Sequence, residues 1–180
     1  MEPCDGVKLL YQSRFGCGHL LPPDGQLAKR IRAERDETPE NASLSPFSFI
    51  GNGLCRMNLA APAVRALPPE RLARMMTLTA EDVPPMQPGD ERLPGFEHDL
   101  SLLRAAALAG RTRFSAAALD GYLAEYRAAG YPPASHSPRY RTAYRPAYRV
   151  ISGDFAVLLP LLSAIEDRIA QGKPALAVLD

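Results

Sequence analysis

The segment from Ser135 to Arg149 carries more chemistry than any other stretch of this chain. It reads SHSPRYRTAYRPAYR and places Arg139, Arg141, Arg145 and Arg149 together with no acid among them. Tyr140, Tyr144 and Tyr148 are interleaved with these arginines, and His136 precedes them. Arg141 and Arg145 are four apart, as are Tyr140 and Tyr144, so each pair shares a face if this stretch is helical. Clustered guanidinium groups cost free energy unless solvent, acids from elsewhere in the fold or a bound anion neutralise them. Their planar forks suit phosphate or carboxylate. Tyr144 and Tyr148 could stack on a base or donate to a phosphate. The competing reading is that the tyrosines fill core and the arginines pair with internal acids.

Arg14 to His19, RFGCGH, is the second candidate. Its glycines permit close backbone approach to a ligand, and bare N–H groups in such a loop can form an anion nest. Arg14 could add charge and His19 a proton shuttle. A tight turn with a packed Phe15 explains the same residues. Gly51-Asn52-Gly53 followed by Arg56 is accounted for by a hairpin turn. His19 and His136 are the candidate acid–base groups for a small enzyme acting on a phosphoester or acyl substrate.

Complete catalytic motifs are absent. Gly172-Lys173 is followed by Pro174, with Asp167 five positions before Gly172, so Gly-x-x-x-x-Gly-Lys-Ser/Thr is not formed. Cys17, Cys55, His19 and His136 lack metal-ligand spacing, and no metal site is expected. A Cys17–His nucleophile pair stays open, because such partners are distant in sequence. Three cysteines (Cys4, Cys17 and Cys55) without a Cys-x-x-Cys do not read as a disulfide framework.

The elements that must position these residues are legible in part. Val7–Gln12 is read as a strand, Asp24–Glu37 as a capped helix, and Phe47–Leu59 as two strands around the Asn-Gly turn. Pro68-Pro69 open a helix to about Ala80. A proline-rich linker covers 82–95. Helices at Glu97–Ala109 and Ala116–Ala129 form an αα-hairpin, with Ser115 as cap and Gly130 as stop. A short helix runs from Ser137 to Tyr144, a strand from Tyr148 to Ile151, a helix from Gly153 to Gln171, and an all-apolar strand from Ala175 to Leu179. The expected fold is α+β, with a mixed α/β arrangement as the variant. It is a single domain over 1–180, with a small sheet of about four to five strands and helices packed on it.

Composition bounds the partners. The chain of 180 residues is 46% hydrophobic and 23% charged, which is enough apolar content for a core. A net charge of +1 argues against bulk nucleic-acid binding, so any basic site is local. No leader is visible, and the longest apolar run is far short of the ~20 residues needed to span a bilayer. No membrane partner and a cytoplasmic location are expected.

Ala164 to Asp180, AIEDRIAQGKPALAVLD, resembles the lead-in to the phosphate loop of uridine-kinase-like bacterial proteins. The segments YQSRFGCGH and SHSPRYRTAYRPAYRV are similar to stretches ahead of such a kinase. The resemblance implies an accessory or ligand-binding domain for a phosphorylated or nucleotide-like ligand, with a kinase domain in cis or trans. It also implies that 153–180 is the start of a truncated phosphate-loop domain. ATP and magnesium would enter only if that domain follows; this chain itself is expected to hold no cofactor. The alternatives are the stand-alone His/Arg enzyme and a structural or interaction domain.

Overall fold

The computed structural model describes residues 1–144 and 147–174. It is an α+β fold built on three strands and eight α-helices among the described residues. The strands β1 (Phe47–Gly51), β2 (Leu54–Asn58) and β3 (Tyr148–Ser152) form an antiparallel sheet in the order β1-β2-β3. Asn52 and Gly53 adopt positive φ in the β1–β2 turn, as the Asn-Gly pair predicts. β3 returns from far along the chain to pair with β2, setting Arg56 opposite Val150 and Met57 opposite Arg149.

The sheet has three strands rather than four to five. The first of the five expected strands is instead a helix, α1 (Pro3–Phe15). Pro3 occupies its first turn, and the Glu2 backbone N–H donates to Asp5 Oδ2 at 2.7 Å, closing the helix start. Helical spacing then puts Val7, Tyr11 and Phe15 on one buried stripe, and Asp5, Lys8 and Gln12 on another. The last expected strand, Ala175–Leu179, lies outside the described residues, as does Arg145.

Two apolar clusters form the core, one around α1 and the other around the sheet. Val7, Tyr11 and Phe15 pack with Phe96, Leu100, Leu119 and Leu123 of the αα-hairpin α5 (Leu93–Leu108) and α6 (Ala116–Ala128). α5 starts a turn earlier than its apolar pattern suggests, because Pro94 is accepted in a first helical turn. Ser115 caps α6 by accepting from the Ala118 N–H. The second cluster joins β2 and β3 to α2 (Leu27–Glu37) and α4 (Pro69–Asp82) through Ile31, Met57, Leu72, Met76 and Ile151. A one-turn helix, α3 (Pro62–Arg65), contributes Val64 to the same cluster. The proline-rich connection between α4 and α5 packs back onto the end of α1. Val83 and Pro85 lie against Gly16 and Gly18, and Arg92 stands over the Phe15 ring at 4.9 Å.

α7 (Pro138–Tyr144) precedes β3, and α8 (Gly153–Ala170) follows it with Pro160 inside. No helix among the described residues is long and apolar enough to cross a membrane.

Candidate functional site

Six polar side chains converge where α1, the 135–137 segment and β3 meet. Asp5 is fully buried and takes four donors. These are the Glu2 N–H at 2.7 Å, the Ser137 N–H at 2.7 Å, Ser137 Oγ at 2.9 Å and His136 Nδ1 at 3.3 Å. Burial opposes the Asp5 charge, but these donors outweigh it and hold the carboxyl below its usual range. With its Nδ1–H directed at Asp5, His136 presents Nε2 as an acceptor, 3.0 Å from Tyr148 Oη. Burial, then the Lys8 charge, pushes His136 down to about 4, so the ring is neutral at neutral pH. Its face stacks on Tyr140 at 4.1 Å.

Tyr148 Oη is the hub. It accepts from Lys8 Nζ at 2.9 Å and stands 3.1 Å from Gln12 Oε1. Burial pushes its hydroxyl up to about 12, which keeps it protonated. Lys8 is 7% exposed, and Tyr148 is its one hydrogen-bond partner among the described residues. Burial first, then the charges of Arg56, Arg141 and Arg149, pushes its amine down to about 7. Arg56 lies over the Tyr148 ring at 4.9 Å and has a buried Nε without a partner among the described residues.

Lys8, Gln12, His136 and Tyr148 line an open cavity of about 860 Å³, which also takes in Arg141, Arg149, Glu34 and Arg30. A second cavity of about 550 Å³ adjoins it through Tyr148 and Ala147, and is lined by Arg56, Tyr140 and Tyr144. Tyr144 is 61% exposed, its ring tilted against Tyr140 at 4.8 Å.

The arginine–tyrosine segment divides between the two readings of its sequence. Arg149 forms a two-pronged pair with Glu34, its Nη1 at 3.0 Å and its Nη2 on the second oxygen. Arg139 and Arg141 are exposed and meet no carboxylate among the described residues, and of the two only Arg141 faces the cavity. Arg14 lies elsewhere, held by Asp99 at 2.6 Å against α5. His19 also stays out of the cavity lining. It stands edge-on to Tyr11 at 5.2 Å, both ring nitrogens buried without a partner among the described residues. Burial pushes it down to about 4.

Asp5, Lys8, Gln12 and Ser137 were not singled out from sequence. Their signal is the i, i+3, i+7 spacing of 5, 8 and 12, which places them on one face only once α1 is a helix. Cys17 and Cys55 are buried, and burial pushes both thiols up to about 11, well into the protonated range. No group of three or more His, Cys, Asp or Glu among the described residues is arranged to hold a metal ion. A scan of protein-family models, a search of curated proteins and a search of solved structures each found no match to this chain.

Proposed function

We propose that the chain binds a phosphorylated or nucleotide-like small molecule in the cavity between α1, α2 and β3. One observation carries this reading. A nine-tenths-buried lysine, bonded to no carboxylate among the described residues, feels the charges of Arg56, Arg141 and Arg149, and Lys8, Arg141 and Arg149 line the open cavity while only Arg149 of these is paired with a described acid there. Burying like charges together is costly, and a polyanion offsets that cost with charge-assisted hydrogen bonds. Lys8 and Arg141 would hold the phosphate. The adjoining cavity, with Tyr140 and Tyr144, would take a flat ring. Arg149 contributes less, because Glu34 already occupies its fork.

The same reading keeps a phosphate-loop kinase, in cis or in trans, as the partner that would share such a ligand. The structural or interaction reading is favoured by two internal pairs, Arg149–Glu34 and Arg14–Asp99.

Thermal unfolding with inorganic pyrophosphate, UMP and ATP tests the proposal. A true ligand at a hundredfold excess over Kd raises Tm by about 5–10 °C, and the rise shrinks with added salt. Arg141→Ala, at an exposed position, weakens Kd by about 10- to 100-fold without lowering the unliganded Tm. No stabilisation across the set, or equal stabilisation of Arg141→Ala, refutes it.

A further inference from the structure

Anion binding alone does not call for the company Lys8 keeps. Lys8 lines the cavity, its amine bonded to a phenol and not to an acid. Behind the phenol stands His136 Nε2, and behind His136 the buried Asp5. Asp5 is held ionised by the Glu2 and Ser137 donors and can only accept, so His136 Nδ1 carries the proton and Nε2 is the acceptor. Tyr148 has one hydroxyl hydrogen and two acceptors in reach, His136 Nε2 and Gln12 Oε1, while it accepts from Lys8. That hydrogen is therefore mobile between partners beside the amine. A buried amine flanked by other cations is a nucleophile at neutral pH, because a substantial share of it is uncharged.

Resting on the phosphate-ligand reading of this cavity, we infer that Lys8 captures the carbonyl of a phosphorylated aldehyde or ketone as a Schiff base. The neutral Nζ lone pair attacks the carbonyl carbon and forms a C–N bond. The carbonyl π pair moves to oxygen, which takes the Tyr148 proton. Tyr148 recovers a proton from the nitrogen, leaving a carbinolamine. That hydroxyl takes the Tyr148 proton and departs as water as C=N forms, and the nitrogen's remaining proton returns to Tyr148, so amine and carbonyl become imine and water with no other reactant. Lys8 and Tyr148 touch the reacting atoms. His136 and Asp5 are positioning residues that hold the Tyr148 hydrogen in line, and Arg141 takes the phosphate.

The chain has only three lysines, Lys8, Lys29 and Lys173, which makes the test sharp. The full chain is incubated with glyceraldehyde 3-phosphate, reduced with borohydride, and mapped by peptide mass spectrometry. The expected result is an adduct on Lys8 at least tenfold above that on Lys29, Lys173 or the N-terminal amine. Lys8→Arg abolishes it. Tyr148→Phe keeps the ring and slows capture by about a hundredfold, the scale of one acid–base group. His136→Gln shifts the pH profile of capture while adduct still forms at alkaline pH. An adduct on Lys8 no stronger than on Lys29 and Lys173 overturns the inference. So does unchanged capture by Tyr148→Phe. Glycerol 3-phosphate, which has the phosphate and no carbonyl, separates the two readings. If it stabilises the fold and no Lys8 adduct appears, the Schiff base fails and the ligand site stands. If neither it nor pyrophosphate, UMP or ATP stabilises the fold and no adduct appears, both fail.

Discussion

Replacing Lys8 by Met should make this protein more stable, and the gain should disappear at alkaline pH. In the folded chain the Lys8 amine is pushed from 10.5 to about 7 by burial and by Arg56, Arg141 and Arg149, with Asp5 opposing. Between those values the unfolded chain holds a proton that the folded chain does not, so stability rises with pH across that window. Below about pH 7 both states are protonated and the whole penalty is present. At about 1.4 kcal/mol per pH unit it amounts to about 5 kcal/mol. Met fills similar volume without the charge but forfeits the hydrogen bond to Tyr148, worth about 1 kcal/mol. The expected gain for Lys8→Met is therefore about 4 kcal/mol near pH 6 and close to zero near pH 9.5. Urea unfolding of parent and variant at both pH values measures it, with m unchanged if only stability moves. The comparison cancels groups that titrate alike in both proteins. His136 and His19 are the exceptions, since both lose the Lys8 charge, but both titrate below this range when folded. A variant no more stable than its parent at pH 6, or a difference independent of pH, would refute the reasoning.

Other expectations follow from the same geometry. Asp5→Asn should cost about 3 kcal/mol in urea unfolding, because an amide must turn N–H groups toward Glu2 N–H and Ser137 donors that need an acceptor. Acidification from about pH 6.5 to about pH 4 should destabilise the protein, since His136 stays neutral when folded and gains a proton when unfolded. This histidine accounts for about 3 kcal/mol of that loss, and pH-dependent unfolding of His136→Gln should show a correspondingly shallower slope. Gly153→Ala should lower stability by about 1–3 kcal/mol in thermal unfolding. Its Cβ would lie 3.1 Å from the Gly53 carbonyl oxygen, a backbone atom that Gly153 N–H already bonds at 2.7 Å, and 2.8 Å from the Phe49 ring.

The sequence by itself determined what neighbouring residues can settle between them. The Asn-Gly pair turns β1 into β2 whatever lies around it. Pro69, Ser115 and Pro138 open α4, α6 and α7, because a proline or a capping hydroxyl satisfies the helix start locally. The α+β class and the density of arginine and tyrosine before β3 were legible for the same reason. Only the tertiary structure decided the rest. VKLLYQ is short enough to suit a strand or a helix, and burial of both stripes of α1, against α5 and α6 and against the 135–137 segment and β3, selects the helix. With that choice Asp5, Lys8 and Gln12 turn to one face and meet His136 and Tyr148 from the far end of the chain. Charge pairing was equally out of reach, since Glu34 takes Arg149 and Asp99 takes Arg14 across more than eighty residues of sequence. Arg141 is left facing the cavity because no acid of the described fold is packed beside it, and packing is a property of the assembled elements, not of any one segment.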